Sequence, residues 1–415
     1  MSRLHVGYVV EPPYPTFTVR EILAVRQEGV RVTVFNTFRA FDQPFAEAQA
    51  LKEEAVYFTP GYHGLLKDQI LAAAARPIGY ARAATFVVAH RLSMRLLLLA
   101  ASYARIIRRS RIQFLHATYG TTPATLAMLC SWLADVPFSF TCHAYEVFLP
   151  NPTLAQKARQ ARFVTMVSEF TRTYAIEKYG LDPAKVHVVT LGVDTQALAP
   201  RVERNPDGRF VVCCVARMES VKGHAVLLKA CRMLRELGID VRCRLVGDGP
   251  LRATLEEEIR RLDLGDRVEI LGWCRPEAVL DVLRAADAFA LPAVVEPDGN
   301  RDGIPVALME AMALGLPVVS TRVSGIPELI ETDVSGILVP PGDGAALAQA
   351  LERLSTDRAL VCRLGQAARR RIERSFDLRQ SAARMVGLFR ETAGPPPSSG
   401  EEGGLSGSAA ESQGP

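Results

Sequence analysis

Apolar runs alternate with helix-spaced patterns along most of the chain. R-L-H-V-G-Y-V-V from Arg3 to Val10 is nearly continuous in apolar residues, Phe17 to Gln27 repeats them at helical spacing, and V-R-V-T-V-F is extended again. A strand, a helix and a second strand are predicted there. Further strands are expected at Gln113–Leu115, Phe138–Thr141, Phe210–Val215 and across V-R-C-R-L-V at 241 to 246. Ile304 to Ala313 reads as a helix with Val306, Leu308, Met309 and Met312 on its apolar face; Gly303 and Pro305 open it, and Gly315 and Pro317 stop it. Two arginine-rich helices, Arg358–Arg374 and Leu378–Thr392, end the pattern. Strands alternating with helices describe an α/β chain built on parallel sheets.

A chain of 415 residues is too long for one ordinary domain, and its 48% apolar content is enough for two cores. The turn-rich stretch from Pro200 to Gly208 is the expected boundary, giving a first unit at 1–200 and a second at 209–375. From residue 394 to 415 the Gly, Pro, Ser and Glu composition has no apolar periodicity, and disorder is expected. The net charge of +4 gives no reason to expect nucleic acid as a partner. The 8 cysteines show no C-x-x-C or Cys/His spacing, so buried free thiols and no metal site are expected. A start that reads as a strand, without a signal-peptide pattern, goes with a cytoplasmic location.

The charge is unevenly spread. No acid lies between Asp68 and Asp135, while Arg76, Arg82, Arg91, Arg95, Arg105, Arg108, Arg109 and Arg111 accumulate among Phe86, Val87, Val88, Leu92 and Leu96 to Leu99. The apolar run is too short to span a bilayer. Two readings stand: a helix pair within 76–111 lies peripherally on an anionic membrane surface, or its leucines are core and its arginines a solvated face.

The chemistry gathers in loops that leave the carboxyl ends of the second unit's strands, where open α/β proteins bind ligands. Asp302 and Glu310 bracket the start of the helix in D-G-I-P-V-A-L-M-E. Its dipole and the N–H groups around Gly303, Ile304 and Val306 suit a phosphate, Pro305 having none to give. Arg217 and Lys222 follow the strand ending at Val215, and a guanidinium with an ammonium can neutralise a diphosphate. Gly247 and Gly249 in G-D-G-P allow close backbone approach to a ligand, or simply make a tight turn. His143 follows the strand Phe138–Thr141, and His116 follows Gln113–Leu115. Taken singly, an acid before a helix is an N-cap and a histidine after a strand is structural; together these groups suggest a nucleotide-linked sugar.

These residues carry a resemblance. A-R-M-E-S-V-K-G at 216–223, L-V-G-D-G-P-L at 245–251, D-G-I-P-V-A-L-M-E-A-M-A-L-G-L-P-V-V at 302–319, S-G-I-P-E-L-I at 324–330 and S-G-I-L-V-P-P-G-D at 335–343 resemble the donor domain of family 4 retaining glycosyltransferases. In the first half, P-T-F-T-V-R-E-I-L-A-V-R-Q-E-G-V-R-V, H-A-T-Y-G and F-S-F-T-C-H-A-Y-E-V-F are similar to the branch that builds exopolysaccharide and colanic acid. The resemblance implies the GT-B fold, two Rossmann-like domains facing a cleft. It implies an acceptor domain at 1–200, a donor domain at 209–375 and a last helix at 376–393 that crosses back. It further implies retaining, metal-independent transfer from a nucleoside-diphosphate sugar to a glycan or lipid-linked acceptor, with no cofactor. Arg217 and Lys222 would hold the donor diphosphate, Glu310 the ribose, and Asp302 and His143 the donor sugar. His116 would position the loop after it.

Two departures bear on this reading. The family usually has Glu where Asp302 stands, and one methylene less moves the carboxylate by about 1.5 Å unless the longer loop V-V-E-P-D-G-N-R compensates. Its S-E-T-F loop is here Y-P-T-F. A nucleotide-sugar-binding protein without transfer activity is therefore the alternative. A hydrolysing sugar-nucleotide epimerase fits the motifs poorly, and no G-x-G-x-x-G follows the first strand as an NAD-dependent oxidoreductase requires.

Overall fold

The computed structural model describes residues 3–38, 45–56, 62–200 and 209–393. The expected linker at 201–208 and the expected disordered tail at 394–415 lie outside the described residues. Strands β1 (His5–Val10), β2 (Arg31–Asn36), β3 (Phe114–Ala117), β4 (Phe138–Cys142), β5 (Val164–Met166) and β6 (Val186–Val188) form one sheet in the order β2-β1-β3-β4-β5-β6. Strands β7 (Phe210–Val215), β8 (Val241–Val246), β9 (Val268–Gly272), β10 (Ala288–Leu291), β11 (Val318–Thr321) and β12 (Ile337–Val339) form the other, ordered β12-β11-β10-β7-β8-β9. Every pairing is parallel. Helices must then cover both faces, which is why β1, β4 and β10 are buried at every position and do not alternate between apolar and exposed polar residues.

The helix expected from Ile304 begins at Val306, with Pro305 extended at its N-cap. The proline ring disfavours a helical backbone at the residue before it, so Ile304 stays outside. Lys222 ends a single tight turn, Ser220–Lys222, and the helix proper is His224–Glu236.

The chain passes between the sheets twice, side by side. Val193 N–H donates to Phe376 O and Leu378 N–H to Val193 O, both at 3.0 Å. After the second passage the helix Leu378–Thr392 packs along Thr16–Gln27 of the first domain. Its Phe389 is fully buried there, with ring centroids 5.4 Å from Phe114 and 6.1 Å from Phe163.

In the arginine-rich region the structure divides the expected apolar set. Val87, Leu97 and Leu99 are buried in the first domain's core, and Phe86, Leu92 and Leu96 pack against it, so these side chains are not a lipid-facing surface. Val88 alone of those positions is exposed. Six of the cysteines are buried; Cys274 is half-buried and Cys362 exposed.

Truncating Phe389 to Ala should cost about 3–5 kcal/mol by leaving a cavity under the crossing helix. Chemical denaturation followed by tryptophan fluorescence would measure it.

Candidate active site

In the second sheet the strand order reverses between β7 and β10, and ligands of such sheets bind in the crevice outside that point. The loop after β7 carries Arg217 and Lys222, and the loop after β10 carries Asp302. Lys222 Nζ lies 2.7 Å from Asp302 Oδ1 and 2.8 Å from Oδ2, with both side chains less than a fifth exposed. An ammonium has three N–H donors, so one remains for a ligand. The two loops are joined by Val294 N–H to Val221 O at 2.9 Å. Gly223, at φ +71°, is required at this seam, because a Cβ there would stand 1.8 Å from Pro292 O. Arg217 is 69% exposed, with Glu219 Oε1 at 3.2 Å as its nearest ionic partner.

Gly247 and Gly249 have a packing role. Cβ atoms on them would fall 2.0 Å from Ala216 O and 2.7 Å from Met218 O. Their N–H groups are already engaged, Gly247 with Gly272 O at 2.8 Å and Gly249 with Asp248 Oδ1 at 2.7 Å. They let the loop bearing Arg217 lie against the next one, rather than presenting donors of their own to a ligand.

The helix Val306–Ala313 has no side-chain cap. The N–H groups of Gly303, Ile304 and Val306 have no backbone acceptor among the described residues. Glu310, half-buried, accepts from Arg20 Nη1 at 2.8 Å, and Arg20 comes from the first domain. The two domains are therefore in contact across the cleft. A Cβ on Gly303 would meet Ala144 Cβ and Val167 Cγ2 at 3.6 Å, so the residues next to Asp302 and next to His143 lie close together. Beside them Glu328 caps the helix Glu169–Tyr179, accepting from Glu169 N–H at 2.8 Å and Phe170 N–H at 2.7 Å. Arg301 stacks over Phe148, its guanidinium carbon 5.0 Å from the ring centre.

His143 sits between Phe17 and Tyr119, whose ring centroids are 5.0 and 4.9 Å away. Burial lowers its pKa to about 4, so the imidazole is neutral at pH 7. Its Nε2 donates to Thr118 O at 3.1 Å, which leaves Nδ1 as an acceptor. Behind it Glu146, fully buried, accepts from the main-chain N–H of Gly120 and of His143, both at 3.2 Å. Burial raises Glu146 to about 7 against the opposing pull of those bonds and of Lys157. Lys157, itself lowered to about 8 by burial, donates to Gly120 O at 2.6 Å. His116 does not reach the cleft. It is sealed between Tyr8 and Phe389, bonded to Ser139 Oγ at 2.8 Å and Thr141 Oγ1 at 3.1 Å, and lowered to about 3 by burial.

The sequence-predicted residues thus fall on both walls of one cleft, except His116 inside the first domain. Arg20, Glu146 and Glu328 were not singled out beforehand. Each lies inside a stretch that carried the resemblance, but only contacts between distant segments reveal what it does. Among the described residues no cluster of His, Cys, Asp or Glu could hold a metal ion, and no helix is long and apolar enough to cross a membrane.

Glu146 gives this site a pH signature. Its folded pKa of about 7 lies above the unfolded value of 4.5, so the fold holds a proton that the unfolded chain releases. Stability from this group is complete below the unfolded value and is lost as pH rises toward 7. Comparing melting temperatures between pH 5 and 7 should show wild type losing stability relative to Glu146→Gln, by about 2 kcal/mol.

Comparison with known proteins agrees with this geometry. Residues 16–197 match the profile described as Glycosyltransferase Family 4, and residues 196–371 the one described as Glycosyl transferases group 1. The putative colanic acid biosynthesis glycosyltransferase WcaL of Escherichia coli is 42% identical over 205 residues, 49% of this chain and 50% of that protein. The amylovoran biosynthesis glycosyltransferase AmsK of Erwinia amylovora is 41% identical over 198 residues, 48% of this chain and 49% of that protein. These matches span about half the length of each relative. Among solved structures, a glycosyltransferase from Rickettsia africae superposes with a TM-score of 0.73 at 18% identity, covering 94% of this chain and 99% of that one. Anabaena HepE, solved with UDP-glucose, superposes at 0.71 and 18% identity, covering 94% of this chain and 100% of that one. Two matching profiles that meet end to end, and two parallel sheets facing one cleft, give one conclusion: the chain belongs to the family 4 glycosyltransferases of the GT-B fold.

Proposed function

We propose that the protein transfers a sugar from a nucleoside-diphosphate donor to a glycan or lipid-linked acceptor, with retention of anomeric configuration and without a metal ion, in surface or exopolysaccharide synthesis at the cytoplasmic side of a membrane. The observation that supports this reading is the close approach of Gly303 to Ala144, which brings the loop bearing Asp302, paired with Lys222, near the loop bearing His143. The complex of HepE with UDP-glucose and the biosynthetic roles named for WcaL and AmsK support it.

In this reading the donor diphosphate lies between Arg217, the third N–H of Lys222 and the N–H groups of Gly303, Ile304 and Val306. These groups stabilise the charge that grows on the departing phosphate. Asp302 holds Lys222 in place and reaches the sugar only at the edge of that ion pair. His143 offers Nδ1 to a sugar hydroxyl, and Glu310 takes the ribose hydroxyls in place of Arg20. The bond from the anomeric carbon to phosphate breaks and the bond to the acceptor oxygen forms on the same face. The acceptor proton passes to the leaving phosphate, so no protein base is required.

A thermal-shift panel of UDP-, GDP-, ADP- and dTDP-sugars, with and without EDTA, tests the donor site. One nucleotide class should raise the melting temperature equally in both conditions, corresponding to about 2.7 kcal/mol at a hundredfold excess over Kd, and Glu310→Ala should remove the shift. No shift with any donor on folded protein would count against the reading. A donor-induced shift without turnover on any acceptor would favour the binding-protein alternative, to which the occupied carboxylate of Asp302 lends weight. Lys222→Ala should lower turnover by about 10²-fold or more, and near-normal turnover would exclude its role.

A further inference from the structure

We infer that the outer helices of the first domain form a docking face for an anionic lipid bilayer. This surface lies outside the donor cleft, and the inference does not rest on the transfer reading. Of the 13 large apolar side chains exposed among the described residues, 6 fall between Leu66 and Met94. Helix Pro77–Ala89 turns Ala83 and Val87 into the core and leaves Ile78, Arg82, Thr85 and Val88 outward along one stripe. Ile78 is 83% exposed and Val88 67%. The neighbouring helix Tyr62–Ala75 exposes Leu66 and Ile70, and Met94 stands exposed at the first turn of Met94–Arg109. Single exposed aliphatic residues are ordinary, but here they concentrate on three helices that pack on one another.

Charge identifies what covers it. The chain has no acid between Asp68 and Asp135, and both flanking acids are already spent. Asp68 is buried against Arg105 at 2.8 Å, and Asp135 pairs with Arg76 at 2.6 Å. Arg82 has only Gln160 and the face of Trp132, while Arg91 and Arg95 have no acidic partner among the described residues. Exposed aliphatic side chains interleaved with unneutralised guanidinium groups complement a surface of phosphates over acyl chains.

The face is placed to serve the cleft. Tyr103 OH donates at 2.7 Å to the carbonyl of Asn36, the last residue of β2, and Met94–Arg109 then descends to the start of β3. The turn before Met94, with Arg91, therefore stands on the carboxyl-edge side of the sheet, where the cleft opens. At the other end Ile78 and Arg82 border an open recess of about 770 Å³ to which Arg162 and Lys185 add positive charge. Docked along this strip, the first domain would hold the cleft mouth near the bilayer surface.

Flotation of the full chain with vesicles of phosphatidylcholine, alone or with about a third phosphatidylglycerol, tests this. At roughly 0.1 M salt, recovery with the anionic vesicles should be about tenfold or more above that with neutral ones, and should fall as salt rises. The triple change Ile78→Ser, Val88→Ser, Met94→Ser, and separately Arg91→Glu with Arg95→Glu, should each reduce recovery by about tenfold. Melting temperature and the donor-induced shift should stay as in wild type, which separates loss of docking from loss of fold or of donor binding. Arg358→Glu with Arg384→Glu, exposed on other helices, should float like wild type. Equal recovery with neutral and anionic vesicles, no recovery with either, or face variants that float as wild type does would overturn the inference.

Discussion

The relative position of the two sheets rests on a short clasp where the chain crosses twice. Val193 exchanges main-chain hydrogen bonds with Phe376 and Leu378, and Thr195 Oγ1 binds Asp377. Gly192 lies so close that a Cβ would stand 2.6 Å from Leu378 Cα. Arg369 ties the same crossing to the second domain through the carbonyls of Thr195, Leu198 and Ala313. Main-chain bonds between two crossings permit little sliding, so they determine which residues of the first sheet's loops meet those of the second. The helix Leu378–Thr392 extends that control by burying Phe389 in the first domain's core.

With the walls held together, charge is the next problem, and three part-buried carboxylates at the cleft are each matched by a neighbour. Lys222 pairs with Asp302, Glu310 with Arg20, and Glu328 with two N–H groups at a helix start. A part-buried charge left unmatched costs far more than an exposed one. A group reaching Glu310 must displace Arg20, whereas among the described residues the remaining N–H of Lys222 and the main-chain N–H groups before Val306–Ala313 stay open. The glycines of the second domain's loops follow from the same compactness, since they admit neighbouring backbone where a side chain would collide.

Behind the cleft, burial governs protonation. Glu146 and Lys157 are both enclosed without a direct bond to each other, and burial pushes each toward its neutral form. Their hydrogen bonds go to the loop at Gly120 and to the main chain of His143, so they pin the segment that carries the imidazole. His143 is kept neutral by the same enclosure, which suits it to accept a hydroxyl hydrogen bond rather than to carry charge.

Much of this was legible along the chain because it depends on neighbours in sequence. Strands rich in apolar residues, the stops at Gly315 and Pro317, and the loops bearing Arg217, Lys222, Asp302 and Glu310 declare parallel sheets with charge gathered at one edge. Local rules also account for the small misreading at Ile304, where the following proline excludes a helical backbone. The apolar residues of the arginine-rich region could not be sorted from sequence, since Val87 and Val88 are chemically alike and only packing buries one and exposes the other. Nor could the partners of the ions be read: Arg20 and Glu310 are far apart in sequence, and their 2.8 Å contact exists only because the clasp closes one domain on the other. Sequence by itself determined the elements and the kinds of charge at their ends, because these follow from local periodicity and composition. Tertiary structure alone decided which charges meet, because Coulomb energy and desolvation depend on distance and burial, and both are set by long-range packing.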